Sequence, residues 1–206
     1  MKRLIISLIF CGFTTLAIAQ LEYKGYSGGM FVHLGHIKSH SFNVINTQGV
    51  ETNYKINNAV WGLGGKLTLQ YGDYLRFGME GYNSTATYGD HKSSFSIGWG
   101  GVLAEAFIAD RLVSYYVGAT LGGGRVKNVV ITKNQGKPNF QISDDVLFRR
   151  YGVGVFTPYM GAEVKINDKL RAVIKMDYML GFFNVKDDFG KGFRMHLGVM
   201  FRTQQE

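Results

Sequence analysis

Cysteine, proline and long apolar segments are all scarce in this chain of 206 residues. It has one cysteine, Cys11, and two prolines. Beyond the first 19 residues, no segment reaches the ~18 apolar residues that a membrane-spanning helix requires. Because only helices and closed β-barrels satisfy every backbone polar group in lipid, a membrane location for the mature chain would require a barrel.

Glycine and aromatic side chains, in contrast, are abundant. The chain has 28 glycines, and aromatic residues make up 14% of it, whereas glycine is about 7% of an average protein. This combination favours closely packed sheet walls over a helical core. The length of the chain is consistent with a single domain.

The N-terminus has the three parts of a secretory signal peptide. Lys2 and Arg3 form a charged start, an apolar segment follows, and Ala17-Ile18-Ala19 is a cleavage motif. We therefore predict that residues 1–19 are removed and that residues 20–206 form the mature domain.

Loss of this segment changes the chemistry of the mature chain. Phe10 precedes Cys11, which does not fit a lipoprotein signal, so lipid attachment is not expected. The mature chain then has no cysteine, which excludes disulfides and thiolate chemistry. Its formal charge falls from +8 to +6, because Lys2 and Arg3 leave and no acidic residue leaves with them.

Period-two alternation of apolar and polar residues predicts β-strands. In residues 61–71 alternate positions are apolar, Gly72-Asp73 follows as a tight turn, and a second alternating segment follows the turn. The same hairpin pattern recurs around Ala109-Asp110 and around Asn167-Asp168. With a first strand at residues 30–34 and a last strand at 193–201, the total is eight. We predict an all-β, closed, eight-stranded antiparallel up-and-down transmembrane barrel.

The connections differ in length between the two ends of the predicted barrel. Short turns lie at the three hairpins, whereas the long connections span about residues 39–59, 84–94, 126–148 and 183–190. Outer-membrane barrels have short periplasmic turns and longer extracellular loops. The pattern therefore predicts four extracellular loops and places the N- and C-termini in the periplasm.

Alternation by itself does not decide whether the apolar face contacts lipid or fills the interior, as in soluble barrels of the lipocalin type. Aromatic residues near the strand ends favour lipid, because such residues form girdles at the membrane interfaces. The predicted girdle consists of Trp61, Phe95 and Phe193 near the loops and of Tyr71, Tyr115 and Phe201 near the turns.

The opposite face is rich in glycine and in charged residues, which suits a narrow lumen filled by long side chains. We expect a paired charge network there, formed by Lys66, Arg76, Glu80, Glu163, Lys165, Arg171, Lys175, Asp177 and Arg194. One acidic residue, Glu105, continues the apolar phase of its strand and would face lipid. We therefore predict a β-bulge near Gly100-Gly101 that shifts the register.

With its strands placed, the mature chain resembles the small outer-membrane β-barrel families, including the outer membrane protein A, X and W types and the porin-family outer membrane β-barrel domain. The resemblance rests on the signal peptide, the tight turns, the alternating strands and the closing segment 193–201. It implies an integral protein of the bacterial outer membrane, in contact with lipid and inserted by the barrel-assembly machinery. In the family a terminal aromatic residue is part of the insertion signal, whereas here Phe201 is followed by five further residues.

Motifs that suggest chemistry have simpler explanations. His33 and His36 fall on opposite faces of a strand, so a shared metal ion with His40 would need a local bend. The glycines before Lys66 lack the Ser or Thr and the helix of a phosphate loop. Ser39 and His40 have no convincing acidic partner for catalysis. We expect no enzymatic activity, no cofactor and no metal.

The connection at 126–148 has β-prone arms at 129–132 and 140–142, which could extend a barrel hairpin beyond the membrane and offer a strand edge to a partner. Lys127, Lys133 and Lys137 could contact lipopolysaccharide phosphates. The sequence predicts a monomer that binds no nucleic acid and has a structural or surface-interaction role carried by its loops. A narrow porin-like channel and a soluble periplasmic barrel remain as alternatives.

Overall fold

The computed structural model describes residues 22–45, 49, 51–89, 92–109, 112–131 and 146–204. The predicted signal peptide at 1–19 lies outside the described residues, as do Lys133 and Lys137. Among the described residues, no helix has the length and apolar character needed to cross a bilayer.

Ten β-strands account for nearly all of the described chain. They are β1 Tyr23–Lys38, β2 Phe42–Ile45, β3 Glu51–Tyr54, β4 Asn57–Tyr71, β5 Leu75–Tyr88, β6 Ser93–Ala109, β7 Val113–Ile131, β8 Val146–Lys165, β9 Leu170–Phe183 and β10 Lys191–Gln204. Strands β1 and β4 to β10 form a closed barrel, and β2 and β3 form a separate two-stranded sheet in the first long connection. The predicted eight-stranded up-and-down barrel is confirmed, whereas the β2–β3 hairpin was not predicted.

Closure of the barrel depends on β1, which pairs antiparallel with β4 on one side and with β10 on the other. His33 in the middle of β1 lies opposite Gly62 of β4 and opposite His196 of β10. In this arrangement both edges of the sheet have a strand partner. We call the end with the short β4–β5, β6–β7 and β8–β9 connections the turn end, and the opposite end the loop end.

The exposed outer surface is apolar along the middle of the strands. Its exposed side chains include Met30, Val32, Leu34, Leu63, Leu67, Met79, Val102, Val117, Leu121, Met160, Ile174, Leu197 and Val199. The residues that alternate with them point into the barrel and are mostly buried, and they include ten charged side chains, namely Lys66, Arg76, Glu80, Glu105, Glu163, Arg171, Lys175, Asp177, Arg194 and Arg202. This distribution is the inverse of a lipocalin-type barrel, so the soluble alternative is wrong.

Strand β6 differs from the sequence prediction. Its pairing with β5 and with β7 runs without a register shift through Gly100 and Gly101, so the predicted bulge is absent from this segment. The odd-numbered residues point inward along the whole strand, and Glu105 therefore lies in the lumen without a bulge. The same phase places Phe95 inside the barrel, where it is completely buried, and the prediction that Phe95 belongs to a lipid-facing girdle is wrong.

The seam between β8 and β9 is the least regular part of the wall. Pairing continues from Phe156–Leu180 to Tyr159–Asp177 without the two pairs between them, and the register also shifts between Gly154 and Val155. Pro158 lies in the gap, and proline has no N–H to donate to a neighbouring strand. Toward the loop end, the last pair between β8 and β9 is Gly154–Phe183, well before the end of β8.

A charge on the apolar surface tests the orientation of the strands. Leu67 is half exposed on the outer face of β4, and Leu67→Arg should lower the free energy of unfolding by roughly 2 to 4 kcal/mol if it faces the middle of the bilayer. Urea unfolding in phospholipid vesicles measures this value. Ala59→Arg, near the loop end of the same strand, is the matched control and should cost only about 0 to 1 kcal/mol. Equal losses for the two variants would contradict the assigned membrane position.

Candidate functional sites in the lumen and at the loop end

Four buried carboxylates organise the charged part of the lumen. Near the turn end, Glu105 accepts a hydrogen bond of 2.5 Å from the Lys66 ammonium, a bond of 3.3 Å from Arg76 and a bond of 3.1 Å from the Tyr159 hydroxyl. Arg76 also donates to both oxygens of Glu163, at 2.5 and 3.2 Å. These groups connect β4, β5, β6 and β8 across the barrel.

A second pair of carboxylates lies farther toward the loop end. Glu80 accepts hydrogen bonds of 2.6 Å from Lys175 and from Thr120. Asp177 accepts two bonds of 2.9 Å from the Arg194 guanidinium, and the Lys175 ammonium lies 3.8 Å from its Oδ2. Lys175 therefore joins the two carboxylates into one network. Charges removed from water require this kind of pairing, because an unpaired buried ion is strongly destabilising.

The network retains a positive surplus. In the lumen of the described barrel, six buried cations face four buried carboxylates, which leaves two positive charges. Arg171 and Arg202 are the cations without a carboxylate partner among the described residues. They donate to Ser114 and Gln70 instead. Both lie near the turn end of the lumen.

One residue assigned to the lumen by the sequence lies elsewhere. Lys165 is the last residue of β8, and its ammonium is 2.7 Å from the carboxylate of Asp168 in the exposed turn that follows. The hydrogen bond and the charge of Lys165 hold the pKa of the Asp168 carboxyl below its usual range. The prediction that Lys165 belongs to the lumen network is therefore wrong. Because Lys165 is at the end of its strand, its side chain pairs with the exposed turn and not with the interior.

Two glycines on the inner face, Gly64 and Gly161, make room for aromatic rings. A Cβ added at Gly64 would collide with the ring of Tyr82, and one added at Gly161 would collide with the ring of Tyr116. Tyr82 lies within cation–π distance of Lys175, at 5.0 Å, and Tyr116 within that distance of Lys66, at 4.4 Å. These rings fill the space between the ions and exclude water from the network.

The loop-end half of the lumen is mostly apolar. It is filled by buried side chains of β1, β4, β6, β7, β8, β9 and the β9–β10 connection, namely Ile37, Val60, Phe95, Ile97, Val126, Val155, Met179 and Phe189. The sequence did not predict this apolar plug: Phe95 was assigned to the lipid-facing girdle, and Val126 and Phe189 to long connections. Within the salt-bridged part of the lumen, on the side nearer the plug, Lys175, Arg194 and His196 have no exposed surface. The lumen is therefore closed along its length at these positions.

The histidines do not assemble into a metal site. His33 points into the lumen, where its Nε2 lies 2.8 Å from the Ser84 hydroxyl, and its ring is 4.9 Å from that of His196. His36 points outward and contacts Asn57, and His40 is exposed. No group of three or more metal-ligating side chains occurs in the described part of the chain.

The remaining residues of the predicted girdle lie on the outer surface or at its edge. Trp61 and Phe193 are exposed toward the loop end, and Tyr115 and Phe201 are exposed toward the turn end. Tyr71 is partly buried at the end of β4, where its ring contacts Tyr23 and Phe77. Aromatic side chains therefore lie on the outer surface of the barrel toward both of its ends.

At the loop end, the β7–β8 hairpin extends beyond its neighbours. Pairing between β7 and β8 continues to Ile131–Val146, whereas pairing between β8 and β9 stops at Gly154–Phe183. Within the described residues, the segment 146–153 of β8 therefore has a strand partner on one side only. The side chains of Phe148 and Phe183, which lie beside this edge, are 69% and 70% exposed.

Neither a protein-family model nor a curated protein sequence matches this chain. Solved structures do match. Neisserial surface protein A has a TM-score of 0.54 and 14% identity, with 87% of this chain and 97% of that chain covered. Ail, the attachment invasion locus protein of Yersinia pestis, was solved in complex with the heparin analogue sucrose octasulfate, and it has a TM-score of 0.51 and 13% identity, with 87% and 99% covered.

The fold is that of the small eight-stranded outer-membrane β-barrels. An apolar wall of exposed side chains around a charged interior is the arrangement that lipid requires and water disfavours. Fold and surface together identify the molecule as an integral protein of the bacterial outer membrane.

The contacts of Glu105 with Lys66, Arg76 and Tyr159 should dominate the stability of the lumen. Glu105→Gln would leave Lys66 and one side of Arg76 buried without their shared carboxylate, and it should lower the free energy of unfolding by roughly 3 to 5 kcal/mol. Urea unfolding in vesicles measures the loss. The control is Asp73→Asn, which breaks the exposed pair between Lys24 and Asp73 and should change stability little. A Glu105→Gln variant as stable as the control would show that the network is dispensable.

Proposed function

We propose that this protein is a closed surface-interaction barrel, with its loop end outside the cell and its termini in the periplasm. The observation that carries the proposal is the edge of β8 over residues 146–153, which has no strand partner within the described part of the chain. An exposed strand edge can bind an extended segment of another protein by adding it as a further strand. A barrel of the same fold, Ail, is named the attachment invasion locus protein, and attachment is a role at the cell surface.

The backbone of β8 is oriented for such pairing. On the side away from β7, the carbonyl of Gly152 accepts a hydrogen bond of 2.7 Å from the Asn184 side chain. Backbone groups of alternate residues point the same way across a strand, so Phe148 and Arg150 direct their N–H and C=O groups toward this free edge. The exposed rings of Phe148 and Phe183 would provide apolar contacts for a bound segment.

A basic pair lies on the outer face of the same hairpin. Lys127 and Arg150 are directly opposite each other across β7 and β8, and like charges in this position repel each other unless an anion binds between them. This pair suits a phosphate of lipopolysaccharide. Binding of lipopolysaccharide, contact with the assembly machinery during insertion and a monomeric state remain predictions. Copurification of lipopolysaccharide would test the first, and sedimentation in detergent would test the monomeric state.

The closed lumen argues against the channel alternative. We expect the refolded protein to give no stepwise current in a planar bilayer, because the salt-bridged layer and the apolar plug leave no wet path. A heat-dependent gel shift of the same sample verifies that the barrel is folded. Reproducible current steps that change with Lys175→Glu would instead establish a channel through the lumen.

Strand addition is tested by a proline at the free edge. Linear peptides selected from a phage-displayed random library on the wild-type protein in nanodiscs should bind Arg150→Pro at least about tenfold more weakly, because the edge loses an N–H donor. Arg150→Ala is the matched control, since it removes the side chain and keeps the donor. Gel shift and circular dichroism verify folding of both variants. Equal binding to wild type and Arg150→Pro, or a selection that yields no binding peptide, would contradict the proposal.

A further inference from the structure

A cleft at the loop end has features of a small-molecule site that strand addition does not use. It has a volume of about 260 Å³ and lies between the β2–β3 sheet and the β7–β8 hairpin. Its walls are formed mainly by Phe42, Val44, Ile45, Val130, Leu147 and Phe148. The volume is close to the lower end of the range for ligand pockets, about 300 Å³, so a single narrow chain fits better than a bulky ring system.

Polar groups converge at one side of this cleft. Asp188 is completely buried, and its Oδ2 accepts a hydrogen bond of 3.0 Å from Asn128. The Tyr88 hydroxyl in turn donates to Asn128 at 2.6 Å. Asp188 Oδ1 lies 3.4 Å from the Arg149 guanidinium. This chain of contacts fixes one cationic side chain at the edge of an apolar cleft.

Arg149 keeps most of its hydrogen-bonding capacity. Its side chain is 49% exposed although it lies beside Asp188, and a guanidinium has five N–H donors in a planar fork. The guanidinium also lies 5.7 Å from the ring of Tyr151, which limits its orientation. Such a positioned, half-exposed arginine is suited to bind a carboxylate or a phosphate through two parallel hydrogen bonds.

A cationic head group fits less well. It would have to displace Arg149 from Asp188. An apolar chain without a head group would leave the Arg149 donors to water. Charge complementarity therefore selects an anionic head.

From these contacts we propose that the cleft binds a single-chain amphiphile with an anionic head. The chain lies between Val44 and Leu147, and the head is bound by Arg149. Arg150, the next residue, points to the opposite face of β8 and takes no part. The head-binding group Arg149 is separate from the strand edge, since it lies on the inner face of β8 and the edge uses the backbone of the strand, whereas Phe148 borders both.

The test uses the full refolded protein in phospholipid nanodiscs and the fluorescent fatty acid 11-(dansylamino)undecanoate as the probe. We expect saturable binding that dodecanoate displaces and that dodecyltrimethylammonium displaces at least about tenfold less effectively. Arg149→Gln should weaken binding of the probe by about tenfold or more. Arg150→Gln, which makes the same chemical change on the opposite face, should change binding less than about twofold.

The apolar part of the site is tested separately. Val44→Trp should fill the cleft and abolish binding, and Leu147→Ala should weaken it, with folding of both variants checked by gel shift. Absence of saturable binding, equal displacement by the two detergents, or equal effects of Arg149→Gln and Arg150→Gln would overturn the proposal. Binding that appears only after proteolysis within residues 132–145 would show that the chain itself fills the cleft, and would also overturn it.

Discussion

In lipid, every backbone N–H and C=O group of a sheet needs a partner, and this requirement fixes the architecture of the molecule. The pairing of β1 with β10 meets it, because it removes the two edges that an open sheet would leave. With eight strands, closure also sets the diameter, and the interior is only wide enough for side chains. The composition of the lumen follows from that narrow space.

Two layers of side chains fill the narrow interior. The layer nearer the turn end contains ions, with Glu80, Glu105 and Asp177 each shared by more than one partner and tyrosine rings packed against inward-facing glycines. The layer nearer the loop end contains apolar side chains and resembles the core of a soluble protein. Because the two layers are stacked, the barrel is closed to water by both charge pairing and apolar packing.

In the proposed function, specificity resides at the loop end. There β8 extends beyond β9, a small sheet forms in the first connection, and a buried carboxylate positions an arginine. The strand edge uses the backbone of β8 and the cleft uses Arg149, whereas Phe148 borders both. A partner protein and a small amphiphile could therefore be bound by neighbouring but separable sites.

The sequence by itself determined the strand count, the turns and the outward face of most strands, because hairpin turns and period-two alternation are local properties. It did not determine the phase of β6, since both faces of that strand carry apolar residues: Phe95, Ile97 and Phe107 on one, and Val102, Ala104 and Ile108 on the other. Only pairing with β5 and β7 decided that Glu105 points inward and Phe95 with it. Likewise, the partner of each buried ion and the position of Asp188 beside Arg149 depend on residues far apart in the chain, and tertiary structure alone brings them together.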